Sequence, residues 1–285
     1  MELRGKVALV TGASRGVGAA TAVALAEAGC AVACAARSTE AAPQKTPGTL
    51  DRTLERIAAV GGRGLAVPTN LAHEDEVVRM VARTVAHFGR LDVLVNNAAI
   101  TFIGDLDVPM KRFDLVMTVN LRAPFLATRE AVAHMRRSGG GAVVNLSSAA
   151  ALYPYAGLMA YGMSKIALER MTVDAARQLQ PDGIAANCFR IDVPVYSEGF
   201  AANAPDLDQS DWEPTEVAAE GILWVLRQPV TYSGNLLSMW ALRRDQGIMR
   251  SRARRPFTGA PPQQIESGLV ASGENVWQEP HDDRR

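Results

Sequence analysis

VALVTGASRGVG, residues 7–18, is the stretch that decides the fold of this chain. Val7 to Val10 is a short apolar run, and AATAVALAEAG (residues 19–29), beyond the glycines, has the composition of a helix. Strand, glycine turn and helix in that order build a seat for the phosphates of a dinucleotide. Gly12, Gly16 and Gly18 permit a tight turn and a close approach of backbone to ligand. The unpaired N–H groups at the helix start favour an anion. The glycines follow Gly-x-x-x-Gly-x-Gly spacing, not the commoner Gly-x-Gly-x-x-Gly.

A second apolar run, about Ala31 to Ala35, ends in Ala36-Arg37-Ser38. A site for NAD places an acid on the ribose 2′-hydroxyl roughly 20 residues beyond the glycines. This chain has Ala36 there, with Arg37 beside it and Arg15 inside the glycine turn. Two guanidiniums and no carboxylate suit a 2′-phosphate, so NADP is expected rather than NAD. The plain alternative is a pair of solvated surface arginines.

The same alternation continues along the chain. A Pro/Gly-punctuated loop at residues 39–49 precedes a helical pattern from Leu50 to Val60. Strand patterns follow at Leu65–Val67 and Val93–Val95, with an amphipathic helix from His73 to Phe88 between them. A long helical stretch from about Met110 to Met135 contains Asn120, which a satisfied core amide would explain. Gly139 to Gly141 lead into AVVNLSS, a fifth strand that delivers Ser148 at its carboxyl end, the edge where open α/β sheets hold ligands. A helix to about Gln180, a strand at Ile184–Phe189, a helix at Thr215–Leu226 and a short strand at Leu236–Met239 complete the pattern. The expected fold is α/β: a doubly wound, Rossmann-type parallel sheet of about seven strands with helices on both faces. One such domain is expected over residues 1–242, with no internal repeat. Residues 243–285 read as a surface-draped or disordered extension, where Arg250, Arg252, Arg254 and Arg255 crowd together and Trp277 is the one large apolar group near the end.

Ser148 to Lys165 carries the chemistry. Tyr161 and Lys165 stand four apart and share one helix face. A phenol with a pKa of about 10 is a poor base at neutral pH, and a nearby ammonium is expected to lower that value. Ser148 adds a hydroxyl able to donate to a carbonyl or accept from an alcohol. Together they make a site for proton transfer. Alone, the Tyr-x-x-x-Lys pair is common on exposed helix faces.

Composition narrows the class. At 285 residues, 48% of them hydrophobic and 21% charged, the chain can bury a large core. Its 30 basic residues balance 30 acidic ones, so no field favours nucleic acid or an anionic membrane. Cys30, Cys34 and Cys188 are too few and scattered for a disulfide framework, and His73, His87, His134 and His281 lack metal-ligand spacing. No signal peptide is read before the first strand and no apolar run reaches membrane length, so a soluble cytoplasmic protein is expected.

With these residues in hand, the chain resembles the short-chain dehydrogenase/reductase family in its single-domain form. The resemblance covers about residues 5–240 and rests on TGASRGVG, NNAA, Asn120, Ser148, Tyr161 and Lys165, in order. It implies that Tyr161 is the acid/base and Ser148 polarises the reacting oxygen. Lys165 holds the nicotinamide ribose and lowers the tyrosine pKa, and Asn120 positions a relay water. It extends the cofactor contacts to Ser14, Val17, Asn70, Leu71, Asn97, Ala98 and, at the nicotinamide end, Pro194. It also implies a homotetramer built through the long helices on either side of the fifth strand.

The chain departs from the pattern at three places. Ala99 ends NNAA where glycine is usual, and Asn70 replaces an aspartate. Ile191-Asp192 stands at the place of a Pro-Gly pair, where Asp192 would orient Arg190 or face water, and Pro194 has no N–H to offer a carboxamide. The activity implied is NADP(H)-dependent interconversion of an alcohol and a ketone or aldehyde, on a small neutral, fairly hydrophobic substrate lined by Tyr153, Tyr155, Met159 and Phe200. Two alternatives stay open: a cofactor-binding interaction or regulatory protein with little turnover, or epimerase or dehydratase chemistry on the same scaffold.

Overall fold

The computed structural model describes residues 1–203 and 207–257. Seven parallel strands form one sheet: β1 (Val7–Thr11), β2 (Ala31–Ala36), β3 (Arg63–Pro68), β4 (Val93–Asn96), β5 (Gly141–Ser148), β6 (Ile184–Ile191) and β7 (Leu236–Ser238). Their order is β3-β2-β1-β4-β5-β6-β7, so the order reverses between β1 and β4. Ligands of such sheets bind outside the carboxyl ends at that reversal.

The helices are α1 (Gly16–Glu27), α2 (Leu50–Ala59), α3 (Glu74–Phe88), α4 (Met110–Met117), α5 (Ala123–Arg137), α6 (Met159–Leu179), α7 (Glu198–Asn203), α8 (Thr215–Arg227) and α9 (Met239–Gln246). Side chains alternate across each strand, so one face of the sheet shows Ala8, Val10, Val32 and Val95 and the other Leu9, Ala33, Leu94 and Val143. The first face packs α1, α2 and α8 through Leu25, Ile57 and Ile222. The second packs α3, α5 and α6 through Met80, Leu126 and Leu179. Strands buried on both faces need continuous apolar runs, as the sequence shows.

The long helix expected over 110–135 is interrupted. Between α4 and α5 the turn Thr118–Arg122 is wide, in π form, closed by Ala123 N–H donating to the Thr118 carbonyl. Pro124 follows at once and has no N–H to continue an ordinary ladder. Such turns commonly mark functional positions, and this one holds Asn120.

The division expected at residue 243 falls within a helix. α9 runs through it, capped by Ser238, which accepts from Ala241 N–H at 3.0 Å, and ended by Gly247 in the left-handed region. Beyond it Met249 is fully buried, its N–H on Glu220 at 3.0 Å. Arg252 N–H donates to Glu213 at 2.8 Å, and Arg255 pairs with Asp208 at 2.9 Å. Residues 243–257 thus contact the rest of the chain through these bonds; residues 258–285, with Trp277, lie outside the described residues. All three cysteines are buried and free, and no helix among the described residues is long and apolar enough to cross a membrane.

Met249→Ala should lower unfolding stability by about 2–5 kcal/mol, as for other buried methionines. Urea unfolding followed by circular dichroism reads this. An unchanged midpoint would mean that the segment after α9 contributes nothing.

Candidate active site

The glycine turn is built by exclusion. Gly12 and Gly16 take positive φ, of 68° and 57°. A β-carbon on Gly18 would collide with the Gly12 carbonyl and the Asn97 amide, so α1 enters against the turn only because both residues lack one. Two hydrogen-bonded clips hold the turn. Thr11 Oγ1 accepts from Asn97 and Ala98 N–H at 3.0 and 3.1 Å, while the Asn97 amide donates back to the Thr11 carbonyl at 2.8 Å. From the other side, Thr53 on α2 donates to the Ala13 carbonyl at 2.8 Å. The start of α1 has no side-chain cap and no acid in its first turn. A cradle that glycines keep open, ending in unpaired N–H groups, fits the phosphates of a dinucleotide.

Around the adenosine end, Ala36 leaves no carboxylate and Arg37 is exposed beside it. Arg15 stands differently from expectation. Its guanidinium donates to the carbonyls of Pro47, Thr46 and Gly48 at 2.6, 2.7 and 3.0 Å, so it anchors the loop between β2 and α2. Ser38 donates to the same Gly48 carbonyl at 2.7 Å. Ser14 and Val17 are buried in the turn, and Leu71 is half-buried beyond β3. Asn70 accepts the Ala72 N–H at 3.2 Å and donates its own N–H to Glu76 at 2.7 Å, closing a turn before α3.

Ser148, Tyr161 and Lys165 come together at the carboxyl end of β5. Ser148 is the last residue of that strand, and its hydroxyl is hydrogen-bonded to the Tyr161 phenol. Lys165 Nζ donates to the Leu146 carbonyl on β5 at 2.7 Å and lies 5.5 Å from the centroid of the Tyr161 ring. Burial pushes the Tyr161 phenol above its ordinary pKa, with the Ser148 bond acting in the opposite direction. This corrects the expectation of a tyrosine lowered by lysine: the ammonium is turned to the Leu146 carbonyl, and loss of water dominates. Lys165 is itself buried, and that burial lowers its pKa to about 8, against the raising fields of Cys188 and Glu169.

Asn120 is a bracket. Its Oδ1 accepts Ile100 N–H at 2.8 Å, and its Nδ2 donates to the Ile100 carbonyl at 2.9 Å and to Ser164 Oγ at 3.1 Å. Ser164 in turn donates to the Tyr161 carbonyl at 2.7 Å. Both amide donors are committed to protein, so the side chain ties the segment after β4 to the helix of Tyr161 as a positioning residue.

Sequence reasoning missed the ion pair beneath this group. Glu169, one further turn along α6, accepts both arms of Arg190 on β6, at 2.8 and 2.7 Å. The side chains are 1% and 7% exposed. The i, i+4, i+8 spacing of Tyr161, Lys165 and Glu169 was visible in the sequence; the partner on another strand was not. Cys188 lies in the same ground, its thiol pushed up to about 12 by burial and by Glu169.

At the nicotinamide end the backbone bridge between Val195 and Glu213 uses the Pro194 carbonyl and the Tyr196 N–H, each at 2.8 Å. The N–H and carbonyl of Val195 therefore point away from Glu213, while the carbonyl of Pro194, which has no N–H, is used in the bridge. Asp192 is half-buried and makes no hydrogen bond to Arg190, whose side chain is taken by Glu169. The pairing of Arg190 with Ser238 carries Asp192 over the start of α9, where it accepts Trp240 N–H at 2.9 Å and bonds Ser238. Tyr153 is buried, edge-on to Tyr155 at 6.4 Å, and Tyr155, Met159, Tyr196, Ile103 and Leu106 are exposed large apolar groups. The side chain of Phe200 lies outside the described residues.

Comparison with known proteins agrees with this geometry. Residues 6–193 match the family described as short chain dehydrogenase. The chain is 28% identical over 250 residues to hydroxysteroid dehydrogenase-like protein 2 of Bos taurus, covering 87% of this chain and 59% of that protein. It thus spans under two thirds of that relative's length. Among solved structures, a Serratia marcescens short-chain dehydrogenase/reductase is 31% identical with a TM-score of 0.75, over 84% of this chain and 97% of the other. A metagenomic short-chain oxidoreductase solved in complex with NADP is 28% identical with a TM-score of 0.69, over 83% and 98%. The chain belongs to the short chain dehydrogenase family.

Lys165 gives the site a pH signature. A lysine that titrates near 8 when folded and near 10.5 when unfolded loses its proton first in the folded protein. Between those values the unfolded chain holds more protons, so stability rises with pH. Wild type should therefore gain stability relative to Lys165→Met from about pH 8 to about pH 10.5, by on the order of 3 kcal/mol. Denaturant midpoints of both proteins across that range check it, and a constant difference would contradict a buried ammonium.

Proposed function

We propose that the protein is an NADP(H)-dependent oxidoreductase that interconverts an alcohol with a ketone or aldehyde. The observation that supports it most is the Ser148–Tyr161–Lys165 group at the carboxyl end of β5, on the edge that also carries the glycine turn. A bound nicotinamide supplies or accepts the hydride. Everything else falls to the chain. A phenol whose pKa is raised is protonated at neutral pH, so Tyr161 stands ready to donate its proton to a carbonyl oxygen, the direction of reduction. Ser148 donates to the same oxygen and stabilises the charge that develops there. Lys165 remains largely protonated at pH 7, facing the ring of Tyr161, where it favours the phenolate that forms and can hold ribose hydroxyls.

NADP is the cofactor expected over NAD. Arg37 is exposed at the end of β2 with no acid at Ala36, and a structural relative carries NADP. Arg15 supports the 2′-phosphate side through the loop it anchors. Exposed Tyr155, Met159, Ile103 and Leu106 suit a neutral, apolar substrate. Phe125 on α5 and Met163 and Val173 on α6 are exposed large apolar groups, which suits a homotetramer in a reducing compartment such as the cytoplasm. Sedimentation at micromolar protein should show a mass above that of the monomer; a monomer would refute the assembly.

Tyr161→Phe should reduce turnover of a ketone by about 10²–10⁴-fold, the usual range for losing a general acid. Its NADPH dissociation constant should stay near that of wild type. In the same titrations NADPH should bind more tightly than NADH, and Arg37→Ala should narrow that difference. Full activity in Tyr161→Phe, or equal affinities for the two dinucleotides, would contradict the reading.

A further inference from the structure

The first turn of α1 is the positive end of a helix that brings no anion of its own. One reaches it from elsewhere in the chain. Glu198, the first residue of α7, follows Ser197, whose Cβ lies 3.1 Å from the point a β-carbon would occupy on Gly16. The Glu198 Oε2 atom lies 3.6 Å from that same point. This oxygen is buried and accepts no hydrogen bond. The guanidinium of Arg15 also feels its charge.

A carboxylate oxygen removed from water without a donor is unfavourable, and in a native fold it calls for an explanation. The helix terminus and Arg15 offset part of that burden by attraction alone. A bound dinucleotide would bring phosphate oxygens to the N–H groups at the start of α1, beside this carboxylate, and two anions in one place repel. Resting on the cofactor reading above, we propose that the Glu198 carboxylate stands in for the cofactor phosphate at the start of α1 and is displaced when the dinucleotide binds. Glu198 is then a determinant of cofactor affinity: the chain competes with its own ligand for the glycine turn.

The test is calorimetric titration of wild type, Glu198→Gln and Glu198→Ala with NADPH and, separately, with adenosine 2′-monophosphate, which has the 2′-phosphate but no pyrophosphate. Both variants should bind NADPH about fivefold more tightly, the scale of one charge at a helix terminus. Their affinity for adenosine 2′-monophosphate should be unchanged. NADPH binding that is equal or weaker in both variants would overturn the inference and make Glu198 a cap only. Equal tightening for both ligands would overturn it too, since the effect would then be general charge. If wild type binds neither ligand, the cofactor reading falls together with it.

Discussion

Lys165 places an ammonium where water does not reach, and much of the site is arranged around that cost. A buried cation survives only with partners that replace its hydration. The Leu146 carbonyl on β5 supplies a hydrogen bond at 2.7 Å, and Glu169, a turn further along α6, supplies opposite charge. Glu169 would itself be an uncompensated anion without Arg190, which reaches it from β6 with two bonds. α6 is thereby fixed against β5 and β6 by polar and charged contacts as well as by apolar packing. Tyr161 takes its orientation and its raised pKa from the same enclosure.

The other half of the site is held by a different constraint, the absence of β-carbons at Gly12 and Gly18. Close approach there lets α1 begin at the end of β1. Thr11 and Asn97 then join the ends of β1 and β4, at the reversal of strand order. Asn120 connects the segment after β4 to α6 through Ser164. The dinucleotide seat and the proton-transfer group are therefore parts of one hydrogen-bonded edge.

The sheet was legible because strands buried on both faces leave continuous apolar runs, and each here is bracketed by a helical pattern. The π turn was not, since Asn120 sits in a composition as helical as its neighbours and only Pro124 hints at a break. α9 was missed although Ser238 and Gly247 mark its ends, because its eight residues are too polar to show a buried face. Ser148, Tyr161 and Lys165 were readable because strand end and helix face follow from spacing. Glu169 with Arg190, Asp192 with Trp240 and Arg15 with residues 46–48 join residues remote in sequence, which only the fold brings together.

The central claim is that one edge of the sheet carries out hydride chemistry with Tyr161 as its proton donor. Single-turnover reaction of NADPH deuterated at the transferable C4 position with a panel of apolar ketones addresses it directly. The account predicts deuterium on the carbinol carbon of the product and a slower transfer than with unlabelled NADPH. Bound, unreacted NADPH with every ketone, or an alcohol product free of deuterium, would contradict it.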